Sequence, residues 1–582
     1  MIKSIIRKLR YYLLLGICLL SVILIEPKLV AGQPQGFASH SPTNPVSIPN
    51  LPIATYYISS SGNDNNSGTS PSKAWQTVNR INRFTFRPGD RILFEGGATF
   101  RGGLSFDAGD RGMPTQPIFI SSYGRGRATL DARDSNGIYI HNTGGYSIDN
   151  LNLVGSGWKH NRGSGINFYN DLSGDVKLEQ IRINNVDVYG FGNHGIAVGS
   201  WNQKSGYRNI QISHVLTHNN GKSGLLTYAQ IPNVHENVQI RYVRAYENLG
   251  IPGDDSPTGN GIVLGGVKAG IIERCIAHHN GELNDANSGP VGIWTYDSSN
   301  VAIQYNESYK NHTGRTKDGG GFDLDQNVSQ SVIQYNYSHD NDGAGYLLAH
   351  GLINPAFTNN TIRYNISQND GRKNDYAGIY LYGQIRNTEI YNNTVFVNAA
   401  PVGKPAAVRI GNLSVETLKL NGVRFYNNIF QTTDGLDLVD ISASQVGGKK
   451  NLTFQGNNYY STNKKFSIHW GDRIYINFST WRRETGQEQL HSNPSGFSIN
   501  PQLFEPGGGL IIGNPDLLST LDAYRLRPTS PLIDAGLNLN TLFSLDTGEQ
   551  DFYGTSLPQG KSYELGAYES MVNLLPQQSQ RF

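Results

Sequence analysis

Apolar residues recur along this chain with two periods at once. Within short blocks they alternate with polar residues, and the blocks themselves return at a longer, steady interval. Aligning IDNL, INNV, ISHV, IRYV, IERC, IQYN, IQYN, IRYN, IYNN, FYNN and FQGN puts Ile148, Ile183, Ile212, Ile240, Ile272, Ile303, Ile333, Ile362, Ile390, Phe425 and Phe454 in one column, spaced by 28–35 residues. Strands at Ile92 and Ile118 fit the same series. A sandwich would show strands at a much shorter interval without long-range self-similarity, so the pattern predicts stacked coils, each needing its neighbours to bury its apolar side.

A second strand in each coil opens on glycine: GIYIHN, GINFYN, GIAVGS, GLLTYA, GIVLGG, GIWTYD, GFDLDQ, GYLLAH and GIYLYG. Alternation turns the residues one and three after each glycine inward, as in Ile293/Thr295, Phe322/Leu324 and Ile379/Leu381, and those two and four after it outward. Two asparagine columns run beside these strands. Asn306, Asn336, Asn365, Asn393, Asn428 and Asn457 lie three after the anchor; Asn220, Asn248, Asn280, Asn311, Asn341, Asp370 and Asn398 lie eight after it. Stacked side-chain amides at a coil corner would satisfy turn groups that burial strands.

Composition supports an all-β chain, with 68 glycines, 32 tyrosines, only 3 methionines and 16% charged residues. The first 32 residues read as a secretory signal: Lys3, Arg7, Lys8 and Arg10 precede an apolar run from Tyr11 to Ile25, and Val30-Ala31-Gly32 supplies a small-residue cleavage site. The run is short for an uncleaved anchor. Five of the 48 basic residues and one of the 46 acidic residues lie in this segment, so cleavage turns the formal charge from +2 to −2 and leaves no electrostatic case for nucleic acid. Cys275 then stands alone, which excludes an intrachain disulfide. The expected boundaries are a signal at 1–32, a linker at 33–53, a cap and first coil at 54–110, the solenoid at 111–460 and a C-terminal cap region at 461–582.

Over roughly residues 90–460 the repeat resembles right-handed parallel β-helix proteins of the pectate-lyase-like superfamily. The flanks YYISSSGNDNNSGTSPSKAWQTVNRIN, FSTWRRETGQEQLHS and SPLIDAG…DFYG…LGAYE resemble segments that close such helices at either end. The resemblance implies an extracellular or cell-surface protein, with the periplasm as the alternative compartment, that is monomeric and acts on polysaccharide.

Within this pattern, Asp323 and Asp325 are the two outward residues of GFDLDQ, with Trp294/Tyr296 on the coil before and Tyr380/Tyr382 two coils after. Tyr228 and Arg409 extend the same outer face. Aromatic rings suit sugar C–H faces and paired carboxyls suit glycosidic chemistry, so these residues are the expected substrate and catalytic groups. The same tyrosines also suit any β surface. Lys317 is a candidate base by analogy with calcium-dependent pectate lyases, and His339 a further candidate, although its column with His218, Tyr246, His278 and Tyr309 equally suits stacking. Asp318, Asp342 and Asp375 each precede a strand glycine by three residues, which predicts a calcium site on three successive coils; turn preference explains the same aspartates. Lyase, hydrolase and non-catalytic glycan binder all remain open at this point.

Overall fold

The computed structural model describes residues 53–352, 354–411, 419–446 and 450–571. The expected signal, and the expected linker up to residue 52, lie outside them. Parallel pairing follows the anchor column coil by coil, from Ile92 to Ile120 and Ile148, through Ile183, Ile212 and Ile240, and on to Phe425 and Phe454. These strands belong to a 23-stranded sheet. The glycine-led strands form a separate 14-stranded sheet in which Ile293, Phe322, Tyr346, Ile379 and Val408 stand in register, with their side chains buried. Each such side chain contributes about 1.5–3 kcal/mol by leaving water.

The asparagine columns explain the corners. Two residues after each anchor the backbone turns left-handed, at Asn185, His214, Tyr242, Arg274, Tyr305, Tyr335, Tyr364 and their equivalents, and again seven after it at Asn219, Glu247, His279, Lys310, Asp340 and Asn369. Residues with a Cβ lose about 1–2 kcal/mol in that region. From Tyr305 onward in the first set, and from Asn219 to Asp340 in the second, the next residue is the ladder asparagine. Asn336 donates from Nδ2 to the Ile303 carbonyl (2.8 Å) and to Asn365 Oδ1 (3.1 Å), while its N–H also donates to Asn365 Oδ1 (3.0 Å). Such amide ladders run one way, donor to acceptor, and so must finish on a group that only accepts. Both do. The first ends with Asn457 donating to Glu488 Oε1 (2.8 Å), and the second with Asn341 donating to Asp370 Oδ1 (2.8 Å). Burial pushes Glu488 to about 7 and Asp370 to about 6. Asn398, expected to extend the second column, leaves it: its Oδ1 accepts from Arg372 (2.8 Å).

At the N-terminal end Thr55–Ile58 pairs with the strand Arg91–Glu95, within the segment expected to hold the cap and first coil. At the other end the helix Phe478–Thr485, capped by Asn477, buries Trp481 against Phe454 and Trp470. The residues after this helix do not stay at the end, as the sequence suggested. They run back along the outside of the large sheet, held by Arg244 to the Gly513 carbonyl (2.7 Å), Gln368 to the Gly509 carbonyl (2.9 Å) and Asn427 to the Leu537 carbonyl (2.9 Å). Among the described residues no helix is long and apolar enough to cross a membrane.

Candidate active site

The strand Gly320–Leu324 carries Asp323 between Trp294 and Leu347 of the neighbouring coils. Asp323 faces away from the core, yet it is only 3% exposed. The turns that lead into the glycine-led strands stand beside the sheet and make its outer face a recess. From one turn comes the Gly289 N–H and from another the Tyr376 hydroxyl, and both donate to Asp318, at 2.9 Å to Oδ2 and 2.6 Å to Oδ1. Tyr376 also accepts from the Asp318 N–H (3.0 Å), which fixes the phenol and the turn together. Asn260 orients Trp294 by accepting from its Nε1 (2.9 Å).

Three carboxyls, Asp318, Asp323 and Asp325, therefore share one recess. Burial raises all three proton affinities, and repulsion from neighbouring carboxylates adds to it for Asp323 and Asp325. What separates them is the number of donors each receives. Asp323 has none, its Oδ1 being buried without a partner, and it is raised well above the ordinary carboxylate range. Asp325 accepts the Gln326 N–H (2.8 Å) and is pushed up to about 7. Asp318 has two donors, which oppose its rise. Asp297 stands behind them, bound to Asn327 and repelling Asp325.

The flanking rings lean onto glycines of the adjacent coils. Tyr228 lies over Gly199 and Tyr296 over Gly265, each on the preceding coil, where a Cβ would come within 2.0 Å and 2.3 Å of the ring Cζ. Tyr380 leans the other way, over Gly411, where a Cβ would meet its hydroxyl at 2.2 Å. Ala349 and Leu347 occupy the coil between. Burial raises the Tyr228 and Tyr380 phenols to about 12, so both stay neutral.

Other expected residues are placed elsewhere. Arg409 is on the outer face, but its guanidinium is held by Asp440 (2.9 Å) and the Lys404 carbonyl (3.0 Å). Lys317 is exposed beside Asp318. His339 is not brought to the recess. It lies in the large sheet, stacked on Tyr309 at 4.9 Å in a continuous column from Tyr189, and hydrogen-bonded to Glu307 and Asp340.

Nor do Asp318, Asp342 and Asp375 converge on one point. Asp342 accepts the Thr313 N–H (3.0 Å) and faces His312, whereas Asp375 is exposed and accepts the Lys404 N–H (2.5 Å). Their equal offsets before glycine hide unequal backbones, since Asp318 and Asp375 are left-handed and Asp342 is not. Among the described residues the trio of acidic and imidazole side chains whose ligand atoms all come together is Asp437, Asp440 and His469, and Asp440 already pairs with Arg409. The sequence reading missed Tyr376, Asn260 and Asp297. Tyr376 had a signal, being an aromatic in the turn next to a strand glycine; the other two had none.

A family model described as a right handed beta helix region matches residues 245–395. The chain folds as a right-handed parallel β-helix. Among curated proteins it is 23% identical over 445 residues to a lacto-N-biosidase of Bifidobacterium longum subsp. longum, covering 59% of this chain. That alignment covers 27% of the relative, so the chain spans about a quarter of its length. Similar solved structures include pectate lyase Pel9A (16% identity, 89% of this chain and 96% of that one, TM-score 0.41) and the GH136 lacto-N-biosidase from Eubacterium ramulus (17%, 69% and 67%, TM-score 0.43).

Proposed function

We propose that this chain is a secreted carbohydrate-active enzyme, a glycoside hydrolase that cleaves a glycan lying across the recess. The observation that carries this reading is the difference in hydrogen-bond donors between two carboxyls that burial raises alike, Asp325 with one and Asp318 with two. Asp325, pushed to about 7 by burial, keeps its proton near neutral pH and serves as the general acid. Asp318, with two donors on its oxygens, is the group best suited to stay ionised, as nucleophile or as the base that activates water. Neutral Asp323 lies beside both and can donate a hydrogen bond to a sugar hydroxyl or to a neighbouring carboxylate. Trp294, Tyr296, Tyr380 and Tyr382 supply the apolar faces on which sugar rings pack. The lacto-N-biosidase likeness agrees with hydrolysis. Calcium at Asp318, Asp342 and Asp375 finds no support in the placement of these side chains.

The test is a panel of neutral and acidic glycans incubated with the secreted protein. New reducing ends without ultraviolet absorbance from unsaturated sugars are expected. Unsaturated products would make the enzyme a lyase, and tight binding without any product would make it a binder.

A further inference from the structure

Upstream of the acidic coil, the turns leading into Ile166–Asn170, His194–Ser200, Ser223–Tyr228 and Asn260–Gly265 enclose a cleft of about 460 Å³. Its lining includes Trp158 and three cations, Lys159, Arg162 and Lys222, against one carboxylate, Asp254. Lys222 is held by Asp254 at 3.0 Å, and the Lys159 ammonium stands 5.2 Å from the centre of the Trp158 ring. Lys159 and Arg162 are exposed. The turn that presents them is fixed from below. Buried Asn161 donates to the Arg133 (2.6 Å) and Ser135 (2.9 Å) carbonyls and accepts from the Gly163 (2.7 Å) and Gly192 (3.1 Å) N–H groups.

These turns stand on the same edge of the glycine-led sheet as the turns that carry Gly289, Asp318 and Tyr376. Strand order puts the near wall two coils and the far wall five coils before Gly320–Leu324, roughly 10–24 Å along the axis at the parallel strand spacing. That is a distance of a few sugar residues. The outward positions along this stretch run Ala197 and Gly199, Leu226 and Tyr228, Val263 and Gly265, then Trp294 and Tyr296, with both tyrosines laid back on the glycine of the preceding coil.

From this placement we infer that the cleft is a distal subsite for an anionic sugar, one bearing a carboxylate or a sulfate, on a glycan chain that extends from the acidic recess toward the N-terminal end of the solenoid. The ring of such a sugar packs on Trp158 while its anion meets Arg162 and Lys159. The cleft thus supplies the attraction for an acidic chain that the carboxyls of the recess do not. The cluster is local, since the segment beyond residue 32 carries a formal charge of only −2.

The inference rests on the glycan-cleaving reading, but its test needs no turnover. Full-length protein carrying Asp325→Asn is titrated calorimetrically with three hexasaccharides: an oligogalacturonate, a chondroitin sulfate fragment and xylohexaose. At least one acidic probe is expected to bind about tenfold tighter than the neutral one, with an advantage that shrinks as salt is added. The preference between the two acidic probes tells carboxylate from sulfate. Arg162→Ala and Trp158→Ala, both at the cleft and away from the acids, should each remove most of that advantage. In otherwise wild-type enzyme Arg162→Ala should raise KM on an acidic glycan and leave kcat unchanged. Equal binding of all three probes, or binding to the acidic probes untouched by both substitutions, overturns the subsite. Acidic-probe binding that depends on Arg162 in a protein that releases no product would instead uphold the subsite and overturn the hydrolase.

Discussion

Glu307 and Asp323 are both buried carboxyls on outward-facing positions of this solenoid, one on each sheet, and their surroundings differ completely. Glu307 is fully buried, and the returning C-terminal segment gives it the Ile512 and Gly513 N–H groups at 2.7 Å each, with His339 at 3.3 Å. Asp323 is almost as buried and has no donor on Oδ1. A buried polar group normally finds its partners, so a fold that satisfies one carboxyl with three donors and leaves the other bare has spent stability at the second place. The satisfied site is architecture: it clamps the strap to the sheet, and even its histidine belongs to a stack. The unsatisfied site is where a ligand can supply what the protein withholds.

The comparison predicts that substitutions in the two places fail in different currencies. The largest effect is expected at Asp325→Asn, which removes the transferable proton and should lower turnover by about 10²–10⁴-fold while leaving the melting temperature no lower. Steady-state rates beside a melting curve check both halves. Next is Glu307→Ala. Stripping the acceptor from two buried N–H groups and His339 should cost about 3–5 kcal/mol and loosen residues around Ile512 and Gly513, read by denaturant unfolding and by hydrogen exchange in that segment. In the interior, Asn336→Leu should cost about 1–3 kcal/mol by breaking a ladder beside the left-handed Tyr335, whereas replacing the exposed Gln326 should cost little. Equal melting shifts for those two would remove the ladder from the account.

The smallest effect is also the most discriminating. Carboxyls whose affinity for protons is raised by folding stabilise the fold fully only below the unfolded value near 4, and that contribution fades as pH rises toward the folded value, about 7 for Asp325. Replacing such a group with a neutral amide should therefore raise the melting temperature by about 1–3 °C at pH 8 and change it little at pH 4. Asp323→Asn is expected to behave in this way, and Glu307→Gln to lower the melting temperature at pH 8 by weakening its clamp.

Much of the fold was legible because stacking repeats a single solution. Ile303 and Ile333 occupy the same place on consecutive coils, so the sequence shows the column before the structure does, and the inward and outward sets of the glycine-led strands followed from alternation alone. Ladder membership was legible as well, apart from its end at Asp370, where a carboxylate accepts three hydrogen bonds and passes none on. The recess was legible only in part. Asp323 on its strand and Asp325 just past its end obey the strand period, but Asp318 and Tyr376 sit in turns whose lengths vary from coil to coil, Asn260 opens a strand directly after such a turn, and contacts across such turns have no sequence period. The same is true of the C-terminal segment, which has no repeat to betray that it doubles back over Glu307 and His339.

The central claim is that burial holds a proton on Asp325 for use in catalysis. It is tested most directly by the pH dependence of kcat/KM on whichever glycan the panel reveals, measured for the wild type and for Asp325→Asn. The account predicts a bell whose alkaline limb falls through a value near 7 in the wild type and is absent from the residual activity of Asp325→Asn. A wild-type profile that stays level through pH 8, or an Asp325→Asn enzyme that keeps the wild-type rate and limb, would contradict it.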